Sequence, residues 1–140
     1  MLVDTWDGWP LERFLYFFIA LAYVMIWVQV TLFHWRGAFR SRFMWGPVLY
    51  TPVLIGMAII LGVIRGGAVE TAFVVVFSIG VVEGLIGALL HAWGVASYVG
   101  RVNLRNLMAG PPIILPIMYM ALSGLALLVL YWESISRVSL

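Results

Sequence analysis

The chain has 140 residues, of which 64% are hydrophobic and 10% are charged, and its mean hydropathy is +1.08. Soluble domains carry about 25% charged residues, and a water-soluble fold of this length cannot bury so much apolar surface. The composition therefore predicts an integral membrane protein. The absence of cysteine excludes disulfides and thiolate metal sites, and the net charge of +2 gives no indication of a nucleic-acid partner.

Four apolar runs are each long enough to cross a bilayer, which takes about 20 residues of helix. They cover residues 14–33, 46–64, 71–90 and 109–132. Because these runs are apolar all round and lack the period-2 alternation of strands, they predict helices. We expect an all-α integral membrane protein whose four transmembrane helices form a four-helix bundle, as a single domain over residues 1–140.

The two halves of the chain share a pattern. Leu-x-His-x-x-Gly at 32–37 recurs at 89–94, an offset of 57 residues, and Met-x-Gly-Pro-x-x-x-x-Pro at 44–52 recurs at 108–116, an offset of 64. The match depends on His, Met, Gly and Pro, which favours duplication over a chance match among apolar runs. A two-span unit ends on the side where it began, so the pattern predicts two parallel hairpins. Repeat 1 would cover about 11–66 and repeat 2 about 68–132.

The arginines predict the orientation in the membrane. The two longer loops, 34–45 and 91–108, carry five arginines, whereas the opposite side carries three. The positive-inside rule therefore predicts that these loops are cytoplasmic and that both termini are outside. The first ten residues contain two acids and no base, which argues against a cleavable signal peptide. We expect the protein in a bacterial inner membrane.

The two histidines, His34 and His91, occupy matched positions in the repeat, so we expect them at one depth near the cytoplasmic ends of helices 1 and 3. Two facing imidazoles could bind a transition metal or the iron of haem b. Glycines on one face of helix 3 would make room for a haem, and nearby arginines would pair with its propionates: Arg36, Arg42, Arg101 and Arg105. The alternative is that the histidines bind nothing and that the glycine stripe serves close helix packing.

Glu83 lies near the middle of the third run, where an ionisable residue is costly and by default indicates a function. It shares a helix face with His91, about 12 Å along the axis, so one hypothesis is a proton or cation path between them. The alternative is a carboxyl that serves assembly by bonding to a neighbour such as Gln29. In the first repeat Ile26 takes the place of Glu83, so the surroundings of Glu83 are expected to be asymmetric.

Pro52 and Pro116 are expected about one turn inside helices 2 and 4. Each would kink its helix and free the carbonyl four residues earlier, at Val48 and Pro112. A freed carbonyl can serve a ligand, but a neighbouring side chain or a water is its more common partner.

Three functions stay open. No Ser-His-Asp set, metalloprotease motif or phosphate loop occurs in the sequence, so no stand-alone enzymatic activity is expected. The chain could be a subunit of an electron-transfer or metal-handling complex with His34 and His91 as ligands, a small transporter or channel component centred on Glu83, or a non-catalytic scaffold subunit. In each case we expect it to act in the lipid bilayer as a homo-oligomer or with other membrane subunits.

Overall fold

The structure is a computed structural model that describes residues 4–138. Within this range it contains the helices α1 (Leu11–Arg36), α2 (Trp45–Val63), α3 (Gly67–Tyr98), α4 (Leu104–Ala109) and α5 (Ile114–Val138), and the strands β1 (Asp4–Thr5) and β2 (Ile64–Arg65). A 3₁₀ turn at Arg42–Met44 leads into α2. The predicted domain covers residues 1–140, and the segment that argues against a signal peptide covers residues 1–10. Both therefore include residues outside the described range.

Four of these helices confirm the predicted all-α membrane class. The described parts of α1, α2, α3 and α5 are long and apolar enough to cross a bilayer, with mean hydropathies from 1.9 to 2.4. Large apolar side chains such as Leu21, Leu89 and Leu128 are exposed on their outer faces, as expected where lipid covers the protein. Four crossings bring both ends of the described chain to the same side of the bilayer, and which side that is stays a prediction.

The third helix differs most from its predicted span. It continues from Leu90 to Tyr98, because the segment after His91 contains no proline to interrupt it. The predicted loop over 91–108 is therefore wrong for most of its length, since α4 forms at its other end. Asn103 caps α4 by accepting a hydrogen bond from the backbone N–H of Asn106 at 2.9 Å. The fourth long helix begins at residue 114 rather than 109.

The four long helices pack side by side in the cyclic order α1, α2, α3, α5. α1 packs along α2 and α3 along α5, while α2 also contacts α3 and α1 also contacts α5. This packing is the one expected of two hairpins, α1 with α2 and α3 with α5. The internal duplication itself stays a prediction. Aromatic rings fill the centre: Tyr16 contacts Phe73, Phe73 stacks on Phe77, and Tyr23 meets Tyr119 edge to face.

The backbones of α3 and α5 approach each other closely because glycines of α3 face α5. A Cβ on Gly84 would lie 2.7 Å from the backbone N of Met120, and one on Gly87 would lie 3.0 Å from Pro116 Cβ. Gly80 faces Ser123 in the same way. Glycines of α3 thus allow α5 to pack closely against it, as is common between membrane helices.

The two inner prolines have different positions in their helices. Pro52 lies inside α2, as predicted. Pro116 is the third residue of α5, where a missing N–H costs nothing, so the kink predicted for it is wrong. The carbonyl that Pro52 frees, at Val48, accepts a hydrogen bond from Trp27 Nε1 at 2.8 Å. A side chain of the neighbouring helix α1 therefore satisfies it, which confirms the more common of the two expectations.

A buried polar network, not predicted from the sequence, closes the end of the protein near the N-terminus. Arg65 forms one ion pair with Glu133 and another with Glu70 at 3.2 Å, and its guanidinium lies 4.3 Å from the centre of the Trp6 ring. The Tyr16 hydroxyl donates to Glu133 Oε2 at 3.0 Å. The antiparallel pairing of β1 with β2 holds the start of the described chain against this network.

Candidate functional site

A cavity of about 1250 Å³ lies between α2 and α3, at the end of the protein opposite the Arg65 network. Its walls come from the last turns of α1, the first turns of α2 and α5, and the second half of α3. Leu49, Ile79 and Val82 on its rim are exposed, so the cavity opens toward the lipid. We call it the membrane cavity; its polar lining side chains include Glu83, His34, His91, Arg42, Tyr50 and Tyr119.

Glu83 is half-buried in the wall of the membrane cavity. Its Oε2 accepts a hydrogen bond from the Tyr119 hydroxyl at 3.0 Å. Its Oε1 faces α2 at Gly46, where a Cβ would lie only 2.8 Å from it. The carboxyl group of α3 therefore touches both α2 and α5. Gln29, the neighbour named as a possible partner, is exposed on α1 instead.

The membrane cavity ends on a solid layer of side chains. Its lining reaches Tyr50 on α2 and Ile79 on α3 and goes no deeper. Beyond it, the ring of Tyr119 packs against that of Tyr23, with 5.3 Å between centroids, and the Tyr23 hydroxyl donates to the Tyr119 carbonyl at 3.0 Å. Leu54 and Tyr23 are fully buried. The cavity therefore does not continue past this layer toward the Arg65 end of the protein.

His91 lines the membrane cavity about two turns along α3 from Glu83. Its Nδ1 lies 3.0 Å from the backbone oxygen of Pro112. A carbonyl oxygen only accepts, so Nδ1 carries the proton and Nε2 is left as an acceptor or ligand atom. Pro112 is the residue whose carbonyl Pro116 was predicted to leave free, and this carbonyl now fixes the orientation of the imidazole.

His34 lines the same cavity from the last turn of α1, near enough to His91 for the two rings to interact electrostatically. Its Nδ1 is buried beside the backbone of Met44 and makes no hydrogen bond of good geometry with the described residues. Residues 4–138 contain no group of three or more His, Cys, Asp and Glu side chains that could hold a metal. A metal on these two imidazoles would need ligands from elsewhere, and the haem or metal site stays a prediction.

One of the four arginines predicted to bind propionates, Arg42, lines the membrane cavity. Arg36 is exposed at the end of α1, while Arg101 and Arg105 are exposed near α4 and do not line it. Arg42 forms no ion pair with the part of the chain that the structure describes. The structure therefore brings together the two histidines, Glu83 and one arginine of the predicted set.

Tyr119, the hydrogen-bond partner of Glu83, was not predicted from the sequence. Tyrosine is common at membrane interfaces, and residues 83 and 119 are far apart in the chain. The predicted repeat nevertheless contained a signal for the contact between these two residues. At the offsets of 57 and 64, Glu83 aligns with Ile26 and Tyr119 with Ile55. Two polar residues that both lack a polar counterpart indicate a contact specific to the second half.

The chain matches no protein-family model, no curated protein and no solved structure. The chemistry of the cavity is therefore derived from its own residues. A carboxyl group oriented by a phenol, in an apolar cavity with aromatic walls, can bind a proton or a cation.

Proposed function

We propose that the chain is a small transporter component that binds a lipophilic organic cation in the membrane cavity, with Glu83 as its counter-charge. The position of this carboxyl group carries the proposal, because Glu83 lies in the wall of a large cavity rather than in the packed core. An ionisable group inside the membrane is costly unless it is paired or used. Apolar cavities with a few convergent polar groups are the usual form of small-molecule sites.

The lining of the membrane cavity supports a cation with an apolar body. Tyr50, Tyr119, Phe33 and Phe43 are among its walls, and aromatic faces attract cations by about 0.5–2 kcal/mol each. Tyr119 already holds Oε2 of Glu83, so the other oxygen is the one that would meet a ligand. That oxygen lies close to Gly46, a residue without a side chain that also lines the cavity.

The closed inner end of the cavity favours a transporter over an open channel. A carboxylate that holds a proton cannot hold a cation at the same time, so proton binding on one side would release the ligand there. Transport then requires the layer around Leu54 and Tyr23 to open while the opposite end of the cavity, at Arg42, closes. In this proposal the protein acts in a bacterial inner membrane, with the predicted loop regions 34–45 and 91–108 on the cytoplasmic side. It does so as a homo-oligomer or with other membrane subunits.

Reconstitution tests the proposal. Proteoliposomes with a pH gradient are given ethidium, an aromatic monocation, and accumulation is followed by the fluorescence of entrapped DNA. The wild-type chain should transport ethidium, and Glu83→Gln should abolish transport while circular dichroism stays unchanged. Glu70→Gln, the same substitution in the first turn of the same helix, is the matched control and should retain transport. Equal transport by the wild-type and Glu83→Gln chains would rule the proposal out.

A further inference from the structure

We propose that the mouth of the membrane cavity, the end at which Arg42 lies, binds the phosphate of a membrane phospholipid through the Arg42 guanidinium. This goes beyond the proposed function, because it concerns another ligand at another level of the cavity.

The position of Arg42 matches the level of lipid headgroups. It is the first residue of the second membrane span, Arg42–Val63, so its guanidinium lies where the apolar segment begins. Gly46, which touches the carboxyl group of Glu83, follows four residues later, or about 6 Å of helix. The phosphate of a lipid in the surrounding leaflet would therefore lie at the same depth in the bilayer as Arg42.

The charges in the membrane cavity are separated along its length. Glu83 is the one acid among the described residues that line it, and it lies at the inner end. Arg42, the one arginine among the described residues that line it, lies toward the mouth. The neighbouring segments 34–45 and 91–108 contain no Asp or Glu. The mouth is therefore complementary to an anion, whereas the inner end is complementary to a cation.

Arg42 is available for a phosphate. Its side chain is exposed, lines the membrane cavity and forms no ion pair with residues 4–138. A guanidinium donates two parallel hydrogen bonds to phosphate oxygens.

The rim of the cavity favours a lipid over free phosphate. Leu49 is 66% exposed, Val82 55% and Ile79 48%, and all three line the membrane cavity on its open side. Acyl chains would cover these side chains below a phosphate held at Arg42. An inorganic phosphate would leave them uncovered and would bind through the charged groups alone.

The experiment measures the thermal stability of the purified full-length chain in neutral detergent as three probes are added: phosphatidylglycerol, diacylglycerol and glycerol 3-phosphate. We expect phosphatidylglycerol alone to raise the midpoint. Arg42→Gln should weaken its apparent affinity about tenfold, as for a lost charge-assisted hydrogen bond. Arg105→Gln, at an exposed arginine outside the cavity, is the matched control and should leave the affinity unchanged.

Three outcomes would overturn the inference. Equal stabilisation by diacylglycerol would mean that only apolar contact matters, and equal stabilisation by glycerol 3-phosphate would identify free phosphate as the source. Unchanged affinity in Arg42→Gln would remove the proposed donor. Glu83→Gln should bind phosphatidylglycerol like the wild-type chain, so failure of the transport proposal is distinguishable from failure of this one.

Discussion

Tyr119 on α5 donates its phenolic hydrogen to Oε2 of Glu83 on α3 across 3.0 Å. The predicted repeat aligns these two residues with isoleucines of the first half, Ile55 and Ile26, so no polar counterpart of the pair is predicted there. The pair lies at the inner end of the membrane cavity.

The hydrogen bond from Trp27 to the Val48 carbonyl should contribute to stability only because Pro52 removes the helical donor. Trp27→Phe should lower the free energy of unfolding by about 1–3 kcal/mol, the cost of an unpartnered buried carbonyl. In a Pro52→Ala background the helix supplies its own N–H, so the same substitution should cost less. Chemical denaturation in detergent measures this cycle. Equal losses in the two backgrounds would contradict the role assigned to the carbonyl.

The contact between Gly84 and the Met120 backbone should not tolerate a side chain. Gly84→Ala places a Cβ 2.7 Å from the Met120 nitrogen, which forces α3 and α5 apart and should cost about 1–3 kcal/mol. Gly56 and Gly124 are matched controls inside helices, with no atom within 4 Å of an added Cβ. Their alanine variants should be neutral or up to about 1 kcal/mol more stable. Similar melting midpoints for all three variants would show that the close approach is absent.

The buried ion pair between Arg65 and Glu133 should be the most sensitive polar contact of the fold. Glu133 is 5% exposed, and Glu133→Gln removes the buried counter-charge of Arg65, which should cost about 3–5 kcal/mol. Glu70→Gln removes the more exposed partner of Arg65 and should cost about 1 kcal/mol or less. Thermal denaturation compares the two variants. A smaller loss in Glu133→Gln than in Glu70→Gln would mean that the Glu133 pair is not the dominant one.

An absorption spectrum and a metal analysis of the purified chain test the paired-histidine hypothesis. We expect a colourless protein without stoichiometric metal, because the proposed organic cation and phospholipid would occupy the cavity that His34 and His91 line. A Soret band that disappears in both His34→Gln and His91→Gln would contradict this expectation. It would also contradict the lipid site, since the haem would then occupy the mouth of the membrane cavity.

The helices could be predicted from the sequence because an apolar segment in lipid has to satisfy its own backbone hydrogen bonds. The need of the Val48 carbonyl for a partner outside its own helix followed from Pro52. Both inferences depend on residues that are close in sequence. The matched depth of His34 and His91 stays a prediction from the repeat.

The contacts between distant residues could not be predicted in the same way. Residues 16, 65 and 133 meet in one buried network, and no periodicity or spacing links them. The length of α3 was not predicted because the polar residue His91 was taken as the end of a span. In the structure the His91 ring forms a hydrogen bond with the Pro112 carbonyl, so the residue is accommodated inside α3. The membrane cavity itself arises from the packing of four helices, which composition does not specify.

Equilibrium binding of tetraphenylphosphonium, measured by titration calorimetry in detergent, tests the proposed role of Glu83 most directly. The wild-type chain and Glu70→Gln should bind this cation equally. Glu83→Gln should bind at least about tenfold more weakly, because the lost interaction involves a charged group. Tyr119→Phe, which frees the carboxyl group without removing it, should fall between them. Equal affinity of the wild-type and Glu83→Gln chains, or no binding by the wild-type chain, would contradict the proposed function.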